Sequence, residues 1–225
     1  MQAGQRTVQG VVEDALRPFE NRRVVVHFAG RTDTGVHASG QVISFSLAST
    51  IACDALQRAL NVTLPDDVRV MRVDEVAEGF NARFDARSKG YRYDVFNGAV
   101  VPPRKRHFVW HVPQPLDTGV MREAAAAIMG EHDFSGFQAA GGDVITNRRE
   151  VLLSRITRDD DRVTYEIAAT GFLRHMVRNI VGTLVDIGLG RRPLEDMRRV
   201  LEARDRSHAS ATAPARGLTL VSVDY

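Results

Sequence analysis

Apolar residues with the period-two spacing of β-strands follow one another directly in several parts of this chain, without a helical stretch between them. In the segment 41–47, for example, Ile43, Phe45 and Leu47 share one face while serines occupy the other. Strict alternation of strands with helices is typical of a parallel α/β sheet, whereas adjoining strands favour an α+β architecture. The sequence therefore predicts an α+β fold with antiparallel or mixed sheets.

Helical spacing of apolar residues predicts the helices, and Thr7 has the position and side chain of an N-cap for the first of them. The predicted helices are 7–19, 51–60, 117–129, 173–187 and 194–203. The predicted strands are 24–28, 41–47, 68–76, 83–96, 108–112, 152–156, 163–168 and 218–223. The valines of 24–28 indicate a strand that is covered on both faces. Turn-forming residues within 97–103 interrupt the pattern, so we expect two domains, 1–100 and 101–225.

The composition excludes several classes of protein. With one cysteine, Cys53, the chain cannot form an internal disulfide, and no Cys/His spacing matches a structural zinc site. Nowhere do about 18 apolar residues run together, and the N-terminus lacks the apolar segment of a signal peptide. These features predict a protein of the cytoplasm. Nearly all basic residues are arginines, which suits RNA binding, but a GC-rich gene would give the same bias.

The segment GRTDTGVHA places Arg31, Asp33 and His37 in one loop bounded by glycines, directly after the predicted strand 24–28. Loops on a rigid scaffold commonly carry functional side chains, although an aspartate in a glycine-rich loop often only stabilises a turn. The triplet Asp33-Thr34-Gly35 resembles that of aspartic proteases, but a neighbouring arginine would keep the carboxylate ionised where that chemistry needs a shared proton. A metal site at Asp33 and His37 would lack a third ligand. The loop alone leaves its role open.

The segment TGFLRHMVRNIVG, residues 170–182, has apolar residues at helical spacing, with Arg178 at the edge of the apolar stripe. A guanidinium beside so much apolar surface is costly without a carboxylate or phosphate partner. The alternative is a surface arginine whose stem covers the core. His175 in the same segment is interpreted as a packing residue or a phosphate contact.

The segment KGYRYDVFN, residues 89–97, alternates as a strand and places Tyr91 and Tyr93 on one face. Aromatic residues in a strand usually belong to the core, whereas a ring at the edge of a binding site can stack on a base. Both roles are open for Tyr91.

Together these segments resemble the TruA family of tRNA pseudouridine synthases, whose signature loop is Gly-Arg-Thr-Asp-x-Gly-Val-His-Ala. The resemblance continues through Tyr91 of KGYRY, the element His132-Asp133-Phe134, the segment FLRHMVRNIVG and the terminal TAPARGLTL. It implies a pseudouridine synthase fold, with two similar α/β sandwich-like domains, mixed or antiparallel sheets and an active-site cleft between them. It also implies isomerisation of uridine in the anticodon stem-loop of tRNA, at positions 38–40, by a homodimer that uses no cofactor and no metal.

Residue roles follow from the same resemblance. Asp33 matches the catalytic aspartate, Arg178 the basic residue that pairs with it, and Tyr91 the aromatic residue of the uridine pocket. Arg31 matches the side chain that is linked to displacing the target base. The other residues expected to contact RNA are His37, Arg174 and His175.

The start of the chain departs from the family pattern. Family members usually begin with a strand that carries Tyr-Asp-Gly and then Gly-Trp-Gln, whereas this sequence starts at Met1-Gln2. The resemblance therefore implies that the first strand is missing, which would expose unpaired backbone groups of the first sheet. A tRNA-binding protein that has lost catalysis is the alternative function. An aspartate-dependent hydrolase would rest on Asp33 and His37 alone.

Overall fold

A computed structural model describes residues 6–20, 22–141 and 145–225. The chain divides into two compact units. The first unit consists of Met1–Arg31 and Val42–Ala86, and the second of Thr32–Gln41 and Arg87–Tyr225. This division differs from the expected ranges 1–100 and 101–225, because the strand that ends at Phe96 pairs with strands of the C-terminal half.

The helices and strands confirm an α+β chain. The helices are α1 (Val8–Leu16), α2 (Cys53–Thr63), α3 (Thr118–Ala126), α4 (Met176–Gly188) and α5 (Asp196–Ala203). The strands are β1 (His27–Phe28), β2 (His37–Ala38), β3 (Ile43–Ser44), β4 (Ser88–Phe96), β5 (Trp110–His111), β6 (Gly130–Asp133), β7 (Arg148–Asp159), β8 (Arg162–Ala169) and β9 (Leu218–Asp224). Among the described residues, no helix combines the length and the apolar character needed to cross a membrane.

The first unit packs α1 and α2 around a small apolar core. Helix α1 begins after Thr7, whose side chain accepts a hydrogen bond from the Gly10 amide at 3.1 Å, so the predicted N-cap is confirmed. Strands β1 and β3 form an antiparallel pair. The core of this unit consists of Val12, Ala15, Leu16, Val24, Val26, Leu56, Leu60 and Leu64.

Two predictions in the first unit are wrong. Val25 is 60% exposed between its buried neighbours, so 24–28 is covered on one face, and only its last two residues pair as a strand. The predicted strand 68–76 does not form. Side chains of α2 satisfy its backbone instead, because the Asn61 amide group both accepts from Val70 N and donates to Val70 O, at 2.8 and 2.7 Å.

The second unit is built on a sheet with the strand order β2-β9-β4-β8-β7-β6, and β5 pairs with β4 beside this path. Strand β4 runs antiparallel to β8 and β9, and β7 runs antiparallel to β6 and β8. The short strand β2 runs parallel to β9, and the short strand β5 runs parallel to β4. The sheet is therefore mixed, as predicted, and its central strand is the one that carries Tyr91.

Helices α3, α4 and α5 contribute most of the apolar residues that pack with this sheet. The shared core includes Tyr93, Tyr165, Ile167, Met121, Ile180, Leu184 and Met197. Helix α4 begins at Met176, later than the predicted Leu173, because His175 has a left-handed backbone conformation with φ 59°. That short turn places residue 175 beside the N-terminus of a buried helix.

Three buried tyrosines of this sheet predict a loss of stability at alkaline pH. Burial raises the pKa of Tyr91 to about 12 and also raises the pKa values of Tyr93 and Tyr165. In the unfolded chain the phenol pKa is about 10, so the unfolded state loses these protons first. The stability they contribute is fully present below about pH 10 and decreases as the pH rises, by about 1.4 kcal/mol per pH unit for each tyrosine.

Urea unfolding between neutral and strongly alkaline pH measures this slope. Tyr165→Phe is expected to reduce the slope by the contribution of one tyrosine, about 1.4 kcal/mol per pH unit. A free energy of unfolding that stays constant above pH 10 would contradict the prediction.

Candidate active site

The loop that carries Asp33 is held in the second unit by a turn and a strand. The Val36 amide donates to the Asp33 carbonyl at 3.0 Å, and Gly35 between them has φ +82°. A positive φ at the third position of a turn is typical of type II and favours glycine there. Immediately afterwards β2 pairs with β9, with His37 opposite Thr219. The backbone that follows Asp33 is therefore fixed.

The structure brings Asp33 and Arg178 together, as the sequence predicts. Arg178 Nη1 lies 2.8 Å from Asp33 Oδ2, and the side chains are 15% and 33% exposed, respectively. This contact between a charged donor and a carboxylate oxygen restricts the orientation of the Asp33 side chain. The side chain of Asp33 is one-third exposed, and its Oδ1 accepts no hydrogen bond from the residues that the structure describes, so the carboxylate is accessible to a substrate.

Arg178 is itself positioned by the segment that precedes β9. Its Nε donates to the Ala213 carbonyl at 2.8 Å, while its own carbonyl accepts from the Ala213 amide at 3.1 Å. Asn179, which is fully buried, accepts from both Arg206 and Thr212 at 3.1 and 2.6 Å. These contacts fix the segment 206–213 against α4, so that the guanidinium of Arg178 is held at both Nε and Nη1.

Sequence reasoning did not identify Asn179, Arg206 and Thr212 as part of this arrangement. The available signal was an asparagine within the apolar stripe of α4, because a polar residue at a core position needs hydrogen-bond partners. The partners of Asn179 lie 27 and 33 residues further along the chain. Local periodicity carries no information about contacts of that kind.

His175 is the second side chain beside Asp33. Its Nε2 lies 3.3 Å from Asp33 Oδ2, and the ring is 24% exposed. Burial lowers the pKa of His175, the Asp33 charge acts in the opposite direction, and the nearby arginines at 174, 178 and 206 lower it further. A lowered pKa disfavours the protonated imidazole at pH 7, so His175 contributes little positive charge beside Asp33. The positive charge of this site comes from arginine.

Tyr91 is buried, with its ring 4.9 Å from that of Phe172 in an edge-to-face arrangement of 82°. Burial, and to a smaller extent the Asp33 charge, raises the pKa of Tyr91 to about 12. The phenol is therefore protonated throughout the physiological range. It can stack on a base or donate a hydrogen bond, but it is a poor proton acceptor.

The remaining predicted contacts are dispersed. Arg31 is exposed and is the last residue of the first segment of the first unit. Arg174 is exposed and donates from Nη1 to the Ala140 carbonyl at 2.5 Å. The His37 ring lies against Phe108, with 4.7 Å between the ring centroids, and its Nε2 is 2.8 Å from the His107 carbonyl. Within the described ranges, no three potential ligands among His, Cys, Asp and Glu are grouped around a metal position.

The triplet Asp-Thr-Gly occurs a second time, at Asp117-Thr118-Gly119, and has a different role there. Asp117 Oδ1 accepts from the amides of Gly119 and Val120 at 2.8 and 3.2 Å, which makes it the N-cap of α3. The two triplets therefore do not form a protease-like pair of carboxylates, since one of them is used in capping a helix and the other pairs with Arg178.

Comparisons with known proteins agree with this geometry. The family model described as tRNA pseudouridine synthase matches residues 1–85 and 124–225, which include Asp33 and Arg178 but not Tyr91. A protein of Limosilactobacillus fermentum named tRNA pseudouridine synthase A is 44% identical over 100% of this chain and 89% of its own length. The protein of the same name from Moorella thermoacetica is 44% identical over 97% and 89%, and that from Methylobacterium nodulans 42% identical over 100% and 89%. This chain belongs to the tRNA pseudouridine synthase family.

Proposed function

We propose that this enzyme, an isomerase, converts uridine to pseudouridine in the anticodon stem-loop of tRNA, with Asp33 as its nucleophile. The observation that carries the proposal is the pairing of a partly exposed carboxylate of the family's signature loop with a partly buried arginine of α4. A nucleophilic carboxylate must be oriented towards its target, and the contact with the Arg178 guanidinium at 2.8 Å restricts the orientation of Asp33.

The reaction breaks the bond between N1 of the base and C1′ of the ribose and forms a bond between C5 and C1′. The proton on C5 leaves, and N1 acquires a proton, so that no atom or electron is gained or lost overall. A uridine in a base-paired stem must first leave its stack, at a cost of a few kcal/mol. We assign its displacement to Arg31 and contacts that position the flipped nucleotide to Arg174, His175 and His37.

We place Tyr91 against the flipped uracil as a neutral ring. Its pKa of about 12 argues against a role as the base that removes the C5 proton at neutral pH. Edge-to-face packing on Phe172 fixes the plane of the ring, which suits a stacking surface. We further propose that the enzyme acts as a homodimer in the cytoplasm, as the family resemblance implies.

Release of tritium from tRNA labelled at C5 of uridine tests the proposal, because formation of pseudouridine exchanges that hydrogen with water. We expect stoichiometric release from a tRNA that has uridines at positions 38–40, and none from the same tRNA with cytidines there. Release from both substrates would contradict the assignment to the anticodon stem-loop. Binding without release would instead indicate a tRNA-binding protein that has lost catalysis.

A further inference from the structure

A run of exposed cations lies beside the signature loop and has no role in the site described above. This basic segment, Arg104–Phe108, starts in a short 3-10 helix, Pro103–Lys105, and includes Arg104, Lys105, Arg106, His107 and Phe108. All five residues are exposed, and the Phe108 ring is 56% exposed. The segment combines positive charge with an aromatic surface that is open to solvent.

The basic segment is fixed to the loop that carries Asp33. His37, four residues after Asp33, contacts it twice, through the His107 carbonyl at 2.8 Å and through the Phe108 ring at 4.7 Å between centroids. Directly after the segment, the Val109 carbonyl accepts from Arg216 Nε at 3.2 Å, and β5 pairs with β4. The basic segment is therefore anchored to other parts of the second unit, and its cations are held at a defined position next to β2.

The three cations of the basic segment have no acidic partner within the described part of the chain. None of Arg104, Lys105 and Arg106 forms an ion pair there, in contrast to the exposed arginines 58, 148 and 155, each of which pairs with a carboxylate. Lys105 instead lies over the Phe96 ring at 5.4 Å, and Arg106 Nε donates to His107 Nε2 at 2.9 Å. Adjacent uncompensated positive charges repel one another, and an anionic partner would remove that repulsion.

We propose that the basic segment binds the sugar-phosphate backbone of the substrate RNA next to the uridine that Asp33 attacks, while Phe108 stacks on an unpaired base. The inference rests on the proposed function and adds to it a surface outside the catalytic group. Arginine and lysine side chains bind phosphate oxygens, and exposed aromatic rings stack on bases in single-stranded regions such as loops. The contacts of His37 with His107 and Phe108 hold this RNA-binding surface beside the signature loop.

The test compares the salt dependence of tRNA binding in two triple variants. Replacing Arg104, Lys105 and Arg106 by glutamine is expected to reduce the slope of log Kd against log salt concentration by about 2, because each phosphate contact contributes about 0.7–0.9. Near 0.15 M salt, we expect Kd to rise about tenfold or more. The control triple replaces the exposed arginines Arg122, Arg155 and Arg198 by glutamine. Its slope of log Kd against log salt concentration should match that of the unmodified protein. An unchanged slope in the first triple, or an equal fall in both, would overturn the proposal.

Phe108 tests the stacking part separately. Phe108→Ala is expected to raise Kd about tenfold without changing the salt slope, and Phe108→Tyr should restore binding, because a tyrosine ring stacks as phenylalanine does. An equal loss of tRNA affinity in Phe108→Ala and Phe108→Tyr would contradict stacking. Tritium release by the unmodified protein is measured in parallel. If tritium release by the unmodified protein is normal while the variants bind tRNA as tightly as the parent, only this inference fails. If the unmodified protein releases no tritium, the proposed function fails regardless of the salt slope.

Discussion

Replacing Asp33 by asparagine is expected to abolish pseudouridine formation while tRNA binding is retained. The amide has nearly the shape of the carboxylate but no negative charge, so it can neither act as the nucleophile nor form an ion pair with Arg178. Loss of a nucleophile that acts together with its partners reduces turnover by about four orders of magnitude or more. Single-turnover tritium release at saturating tRNA measures the loss directly, because product release and affinity do not then limit the rate.

Two controls separate this effect from damage to the fold. Asp159→Asn changes an exposed carboxylate at the end of β7 and should leave both turnover and melting temperature unchanged. The Asp33→Asn protein should bind tRNA with a Kd close to that of the parent, since the basic segment and the exposed arginines are intact. Normal turnover by Asp33→Asn would remove Asp33 from the mechanism, whereas a loss of binding would show that the substitution acts through the structure.

The sequence predicted the parts of this protein whose determinants are local. Amphipathic spacing identified α1 to α5 within a few residues at each end, and Thr7 was recognised as a cap from its side chain and position. Short strands were predicted less well. Strand β6 was not predicted, because Gly130–Asp133 contains no apolar alternation.

The candidate site shows the same limit. The family resemblance led to Asp33, Arg178 and Tyr91, and the structure places the first two in contact. The protonation state of Tyr91 could not be predicted, because it depends on burial by residues far apart in sequence. The triplet Asp-Thr-Gly occurs in two different structures, since at residue 33 it forms a turn whose aspartate pairs with Arg178, and at residue 117 its aspartate caps a helix. Tertiary contacts, and not the amino-acid sequence of the triplet, distinguish the two sites.

A large loss of stability is expected for Gly182→Ala in the middle of α4. A Cβ atom added at Gly182 would lie 2.0 Å from the Ala211 carbonyl oxygen, and both groups belong to backbone that cannot rotate away. Overpacking of this kind costs about 3 kcal/mol, from which about 1 kcal/mol is regained because alanine favours the helix. We therefore expect the free energy of unfolding to fall by about 2 kcal/mol in urea titrations.

Gly119→Ala is the matched control for that change. Its added Cβ would lie 3.1 Å from Asp117 Oδ1, a side-chain oxygen that needs to move by only a few tenths of an ångström and can do so while it still caps α3. We expect no loss of stability there, and equal losses in the two variants would contradict the assignment to the Ala211 backbone.

Gly182→Ala should also reduce catalysis under conditions in which the variant remains folded. The segment that must move away from the new methyl group includes Ala213, whose carbonyl holds Arg178 Nε at 2.8 Å. A displacement of about 1 Å in a group that orients a reacting side chain can reduce turnover about 100-fold. Single-turnover rates well below the melting temperature measure this effect separately from stability. A destabilised variant with normal single-turnover rates would show that the Ala213 contact supports the fold alone. A reduced rate with unchanged tRNA affinity would instead show that the packing of the segment 206–213 against α4 aligns Arg178 with Asp33.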